Sequence, residues 1–217
     1  MKNKFQITFN YQLDPELKKL LGTKMFIISS PSGIYSITNP ITFSCQYSLQ
    51  LVAYSEYPNN VYSVVVFGAN WEEIIGGDLY ALEVKELLHL DRLGYQRREE
   101  MAATILGEFG IIIKIAGLGI VQTELRDFDN DLDDDSADQE LDNGPIVTIP
   151  VDIRTLDAIA ILFDNGKWLY IFADGDDKFR LELDVSLAPE DLWTRDDFMA
   201  AGKKIQVLDS FDFNDPQ

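Results

Sequence analysis

Hydrophobic and polar residues alternate along several stretches of this chain, which is the pattern of a half-buried β-strand. The longest alternation covers Ile41–Tyr57, with apolar side chains at most of the odd positions. Pro58-Asn59-Asn60 separates it from the apolar run Val61–Phe67, so we predict an antiparallel hairpin there. The same alternation predicts strands at Lys4–Gln12 and Lys178–Leu187.

Other stretches have apolar residues at helical spacing. A short helix is predicted over Asp14–Leu21. A longer helix is predicted over Asp78–Leu93, because its leucines would form one apolar face. Asp78 stands at the N-cap position, where aspartate is favoured. A second helix follows at Gln96–Leu106, which completes a central helical pair. The run Thr194–Gly202 begins with a residue pair that resembles a capping box, so it predicts a C-terminal helix.

A turn signal in the C-terminal part of the chain predicts a second hairpin. Asp164-Asn165-Gly166 lies between the β-rich runs Leu156–Phe163 and Lys167–Ala173. An Asn-Gly pair favours a two-residue turn in which both central residues have positive φ. The strand at Lys178–Leu187 extends this hairpin to a three-stranded meander. The predicted fold class is therefore α+β: a mainly antiparallel β-sheet of hairpins and meanders, with a central helical pair and one C-terminal helix.

An acid-rich stretch divides the chain. Residues 125–144 have too few apolar side chains to order themselves, and we interpret them as a flexible loop or linker. Residues 1–124 then form a larger half, and residues 145–217 form a smaller half made of the β-meander and a helix. The two halves could share one sheet. With 217 residues, 46% of them hydrophobic, the chain can build a substantial core.

The single cysteine and the single histidine limit the available chemistry. Cys45 allows neither an internal disulfide nor a cysteine-rich zinc site, and its place on the apolar side of a predicted strand indicates a core residue. Any Ser–His or Cys–His mechanism depends on His89. In the predicted helix its neighbours are Glu86 and Arg92. No nucleophile-elbow pattern is present, so we predict a structural or surface histidine.

No segment has the features of a signal peptide or a membrane span. The first residues alternate instead of forming a continuous apolar stretch. The most apolar segment, Phe109–Val121, is interrupted by Lys114 and three glycines. It is shorter than a membrane helix, which needs about 20 apolar residues. We therefore expect a soluble, cytoplasmic protein.

Negative charge is concentrated in the C-terminal part of the chain. The formal net charge is −19; residues 1–124 carry 13 acids and 10 bases, whereas residues 125–217 carry 24 acids and 8 bases. Such a surface repels nucleic-acid phosphates and anionic lipids, so we predict neither partner. The charge favours a basic partner, a cation or simple solubility.

Part of the acidic stretch resembles a calcium-binding loop. The alternating acids that could act as weak metal ligands are Asp127, Asp129, Asp131 and Asp133. However, Leu132 stands where an EF-hand loop needs glycine, and Asp138 stands where it needs a bidentate glutamate. We therefore predict a solvated loop, with no specific metal site and no cofactor.

The favoured function is a non-enzymatic binding or inhibitor protein. It would dock on a basic protein, such as a nuclease or another nucleic-acid-binding protein, and occlude it. Immunity proteins against nuclease toxins and phage-encoded mimics of nucleic acid use acidity in this way; the comparison rests on charge alone. The predicted partner-binding residues are Asp127, Asp129, Asp131, Asp133, Asp134, Asp135, Asp138, Asp174, Asp176, Asp177, Glu190, Asp191, Trp193, Asp196 and Asp197.

Two alternative functions stay open. The protein could be a structural component that assembles into homo-oligomers through sheet edges or an apolar patch. It could also be a carboxylate-dependent or metal-dependent enzyme without a recognisable motif, because its acids are numerous enough to form a catalytic pair. The oligomeric state of the isolated protein would distinguish assembly from inhibition.

Overall fold

The computed structural model describes residues 5–9, 11–30, 35–38, 42–56, 60–74, 77–96, 103–126, 148–173, 180–186 and 203–214. This part of the chain is mostly β-structure. A 3-10 helix at Pro15–Leu20 and a short α-helix, α1, at Arg92–Gln96 are its helical elements. The strands are β1 Phe5–Phe9, β2 Lys24–Ser30, β3 Tyr35–Thr38, β4 Thr42–Gln46, β5 Leu49–Ser55, β6 Val61–Ile74, β7 Gly77–Leu90, β8 Ala103–Arg126, β9 Thr148–Phe163, β10 Trp168–Ala173, β11 Arg180–Ser186 and β12 Lys203–Asp212.

All twelve strands belong to one hydrogen-bonded arrangement with the order β3-β4-β11-β10-β9-β8-β2-β5-β6-β7. Neighbours on this path are antiparallel; β12 pairs with β8, and β1 pairs in parallel with β9. The long strand β8 joins two sheets, because its residues 103–111 pair with β2 and its residues 112–126 pair with β9. Strands from both sides of the acidic stretch therefore lie next to each other.

The two sheets face each other across the main core. Leu51, Phe67 and Leu82 of the second sheet lie in the same buried cluster as Ile159 and Ile171 of the first. Burial of this apolar area is the main favourable contribution to folding. The core is thus shared between the two sheets, and it also contains side chains of the 3-10 helix.

Several strand predictions are confirmed. The alternation at Lys4–Gln12 corresponds to β1, and β5 and β6 form the predicted hairpin. The predicted meander is β9, β10 and β11. Its first turn differs in type: Gly166 has φ +80, whereas Asn165 is not among the described residues with positive φ. A type I turn followed by a left-handed glycine has this pattern.

The α+β prediction is wrong, because the described chain is mostly β and the central helical pair does not form. Residues 78–90 belong to strand β7, paired with β6 along its length. A β-bulge at Lys85 explains the misleading pattern: Leu82 and Val84 face the main core two residues apart, but the next core-facing residue, Leu87, comes three residues later. This spacing resembles a helical period.

The second predicted helix is also wrong where the structure describes it. Gln96 ends α1, and residues 103–106 lie in β8, where Ile105 and Leu106 pair with Ile28 and Ile27 of β2. Residues 97–102 lie outside the described part, and so does the predicted C-terminal helix Thr194–Gly202. Pairing with β2 satisfies the backbone groups that a helix would satisfy internally.

The long alternation at Ile41–Tyr57 is two strands instead of one. The chain leaves β4 at Tyr47, whose φ is +67, and enters β5 two residues later. β4 pairs with β11 in the first sheet, whereas β5 pairs with β2 and β6 in the second. The hydrophobic pattern continues through the crossover because the apolar side chains on both sides of it face the same core.

Candidate functional site

All the predicted partner-binding residues lie outside the described part of the chain. They fall in three connections: residues 127–147, residues 174–179 and residues 187–202. The predicted positions concerned are Asp127, Asp129, Asp131, Asp133, Asp134, Asp135, Asp138, Asp174, Asp176, Asp177, Glu190, Asp191, Trp193, Asp196 and Asp197. The strand ends that flank these connections are described, and their register defines where each connection begins or ends.

Five of the six flanking strand ends lie toward the same end of the first sheet. The sixth, Ser186, lies at the opposite end, because it pairs with Trp168, whose partner in β9 is Leu162. Arg126 and Thr148, which bound the first connection, are direct partners in the β8–β9 ladder. β10 runs toward the N-terminal half of β9 before its last residue, Ala173, which precedes the second connection. Lys203, which follows the third connection, pairs with β8 only four residues from Arg126 in sequence. The first connection therefore begins and ends, and the third connection ends, beside the N-terminal half of β9, whereas the second connection begins near the middle of β9.

Two positive side chains of this sheet, Arg154 of β9 and Lys114 of β8, are paired with acids. The guanidinium Nε of Arg154 lies 3.2 Å from a carboxylate oxygen of Asp152, and this hydrogen bond raises the pKa of Arg154. The same guanidinium lies over the ring of Tyr11, 5.8 Å from its centroid. Lys114 pairs with Asp212 at 3.1 Å. Exposed pairs of this kind add little stability, but they neutralise local positive charge.

His89 lies on strand β7, and its contacts differ from those predicted. Its Nδ1 is 3.0 Å from the hydroxyl oxygen of Ser63, its direct partner across the β6–β7 ladder. The predicted neighbours Glu86 and Arg92 were based on a helix that does not form. Ser63 is only 3% exposed, whereas His89 is exposed. The low exposure of Ser63 and its position opposite His89 in the ladder favour a structural hydrogen bond between neighbouring strands.

The prediction that Cys45 is a core residue is confirmed. Its side chain is 1% exposed and belongs to the main core. Burial raises the pKa of the thiol to about 11, and a hydrogen bond with the Ser30 side chain opposes this increase. The thiolate is the reactive form of cysteine, so Cys45 is poorly suited to nucleophilic chemistry.

An aromatic cluster on the outer face of the second sheet was not predicted. The rings of Tyr62 and Tyr95 are stacked, with centroids 4.6 Å apart and an angle of 3° between their planes. Tyr54 lies against Tyr62 at 4.9 Å. The ring of Phe26 makes edge-to-face contacts with both Tyr62 and Tyr95. Tyr95 comes from α1 and the other rings come from β2, β5 and β6, so no local pattern connects them.

Next to this cluster lies a surface hollow of about 420 Å³. The Tyr54 hydroxyl donates a hydrogen bond of 2.6 Å to Asn60 Oδ1 at its edge. Asp91 caps α1 by accepting a 2.7 Å hydrogen bond from the Gly94 amide. The residues that line the hollow are Tyr54, Asn60, Tyr62, Asp91, Arg92 and Leu93.

The tryptophans have different surroundings. Trp71 lies within strand β6. Trp168 stacks on Tyr170 with centroids 5.9 Å apart, next to a small buried cluster on the outer face of the first sheet. Trp193 lies outside the described residues.

Within the described ranges, no group of three or more His, Cys, Asp or Glu side chains could hold a metal ion, and no helix is long and apolar enough to cross a membrane. The weak metal candidates Asp127, Asp129, Asp131 and Asp133 fall outside these ranges. Comparisons with protein-family models, curated proteins and solved structures found no match for this chain.

Proposed function

We propose that the protein is a non-enzymatic, cytoplasmic binding protein that docks on a basic partner protein and occludes it. The observation that carries this proposal is the position of the three acidic connections: five of their six flanking strand ends lie toward one end of the first sheet, and each connection has at least one end there. A framework of paired strands would hold their attachment points at fixed separations, which favours a combined electrostatic surface.

The charge of the longest connection supports a role in partner recognition. Residues 127–147 contain nine acids and no base. Self-repulsion among these acids opposes compaction and does not help the fold. Across an interface with a basic protein, the same charges accelerate encounter and disfavour acidic partners.

The first experiment captures the partner and measures its electrostatic dependence. The immobilised protein is exposed to lysate of the native host at about 0.1 M salt, where the Debye length is about 10 Å. A salt ramp then releases bound proteins for mass spectrometry. We expect one basic protein to elute at a defined salt concentration, and its association rate with the purified protein to fall as salt rises.

A pair of charge-matched variants tests the proposed surface. The test variant D131N/D133N/D135N and the control E16Q/E56Q/E73Q each remove three negative charges, the control from exposed residues of the N-terminal half. The test variant should lower the association rate for the captured protein by about tenfold, and the control by less than about twofold. Equal effects of the two variants, or capture of only further copies of the bait, would contradict the proposal.

A further inference from the structure

The hollow beside the tyrosine cluster is a second candidate site, distinct from the acidic connections. Two of its lining residues, Tyr54 and Tyr62, come from neighbouring strands, and three more, Asp91, Arg92 and Leu93, lie at the junction of β7 and α1. It therefore combines an aromatic wall with charged and polar side chains. Small-molecule sites have this composition: apolar surface with a few polar groups that orient the ligand.

A ligand can contact the surface of the aromatic wall but cannot insert between its rings. Tyr62 and Tyr95 are already in ring contact, parallel and 4.6 Å apart, so a planar base cannot insert between them. Tyr54 is tilted by 41° against Tyr62 at 4.9 Å, which leaves no parallel gap there either. A ligand can pack against the ring surfaces that line the hollow.

The polar side chains provide both donors and acceptors. Asn60 accepts from the Tyr54 hydroxyl through Oδ1, and its amide N–H groups can donate to a ligand. One oxygen of Asp91 accepts from Gly94, and the other can accept from a ligand. The Arg92 guanidinium makes no ion pair within the described residues and presents several donors in one plane.

The balance of charge indicates a neutral ligand. Asp91 and Arg92 contribute opposite charges to the same hollow, so a cation such as a partner's arginine and an anion such as a phosphate would each meet one repulsive group. Hydroxyl groups avoid this conflict because each of them can donate to a carboxylate and accept from a guanidinium. Leu93, which is 65% exposed at the rim, adds apolar surface.

We propose that this hollow binds a neutral saccharide, with the C–H face of a sugar ring against Tyr54 and its hydroxyl groups bonded to Asn60, Asp91 and Arg92. The volume of about 420 Å³ is sufficient for one or two sugar rings. An open hollow of this kind binds weakly, with a dissociation constant on the order of millimolar, because it desolvates only part of the ligand.

The test is a titration of the ¹⁵N-labelled full chain by NMR, with maltose, lactose and N,N′-diacetylchitobiose as separate probes. We expect saturable shifts of backbone amides around residues 54, 60 and 91–93 with at least one of these disaccharides. Guanosine and arginine methyl ester are titrated in parallel. Absence of saturable shifts with all three disaccharides overturns the proposal, and so does tighter binding of guanosine or the arginine ester in the hollow.

Variants connect the binding to the hollow. Y54A removes the ring and should raise the dissociation constant at least fivefold. R92Q changes an exposed side chain and D91N keeps a residue that can cap α1, so both should fold while weakening binding about threefold to tenfold. K167Q, in an exposed turn that does not line the hollow, is the control and should bind normally. Unchanged binding in folded R92Q and D91N would overturn the assignment.

Discussion

Replacement of Gly110 by alanine should be among the most damaging single changes in this fold. Gly110 lies in β8 where this strand exchanges its pairing with β2 for its pairing with β9. Its φ is +122, and a Cβ built there would lie 2.6 Å from Asp164 Oδ1 and 3.1 Å from the Phe163 Cβ. Asp164 in turn accepts a 2.9 Å hydrogen bond from the Ile111 amide. The substitution therefore strains the backbone and displaces the β9–β10 turn.

The expected cost follows from these two effects. Alanine in a backbone conformation that strongly favours glycine costs about 1–3 kcal/mol. Loss of the Asp164–Ile111 hydrogen bond costs about 0.5–1.5 kcal/mol more. Gly166 is the matched control, because its φ is +80 but nothing lies within 4 Å of the position of a Cβ. G166A should therefore cost only the backbone strain, about 1–2 kcal/mol.

Urea unfolding followed by tryptophan fluorescence and far-ultraviolet circular dichroism measures the difference. With an m value of about 3 kcal/mol/M, G110A should lower the unfolding midpoint by about 1 M and G166A by about 0.5 M. Both variants reduce the entropy of the unfolded chain equally, so this contribution cancels in the comparison. Midpoints of the two variants within about 0.2 M of each other would refute the close approach of Gly110 to the turn.

Two further predictions test the core. L82A should lose about 2–5 kcal/mol of unfolding free energy, because Leu82 is 0% exposed. Leu93 is 65% exposed, so L93A should lose less than about 0.5 kcal/mol. Similar losses for the two variants would favour a helix with both leucines on one buried face. Cys45 should react with iodoacetamide at pH 8 only after unfolding, and stability should fall as pH rises from 9 to 11, because the unfolded thiol ionises near 9 and the folded one near 11. Fast labelling of the native protein, or C45A having the same pH dependence between pH 9 and 11, would contradict this assignment.

The alternation of apolar and polar residues predicted the strands β1, β4, β5 and β11. The strands β6, β9 and β10 were predicted from apolar or β-rich runs bounded by turn signals, and Asn165-Gly166 marked the turn between β9 and β10. The φ angles of that turn were predicted incorrectly, because Asn-Gly is compatible with more than one turn type.

Strand β7 was misread because it is apolar on both faces and contains a bulge. Leu82 and Leu87 face the main core, whereas Leu88 and Leu90 pack against the aromatic cluster on the other side. A strand covered on both faces loses its polar alternation, and the extra residue Lys85 changes which positions point inward. No local rule distinguishes this pattern from an amphipathic helix.

The two candidate sites also differ in whether the sequence alone could predict them. The acidic connections could be recognised from composition, since charge is a property of consecutive residues. The hollow could not, because Tyr54, Tyr62 and Arg92 meet only through the pairing of β5 with β6 and the position of α1 after β7. Likewise, the Ser63–His89 hydrogen bond joins residues 26 positions apart through the β6–β7 register.

The sequence by itself determined the charge distribution, the presence of one cysteine and one histidine, the buried position of Cys45, and most of the strands with one polar face. Only the tertiary structure decided that β8 pairs with β2 and then with β9, that the alternation at Ile41–Tyr57 crosses between two sheets at Tyr47, and that residues 78–90 form a strand. The physical reason is that strand pairing satisfies backbone hydrogen bonds between distant segments, whereas hydrophobic periodicity records only the surroundings of consecutive residues.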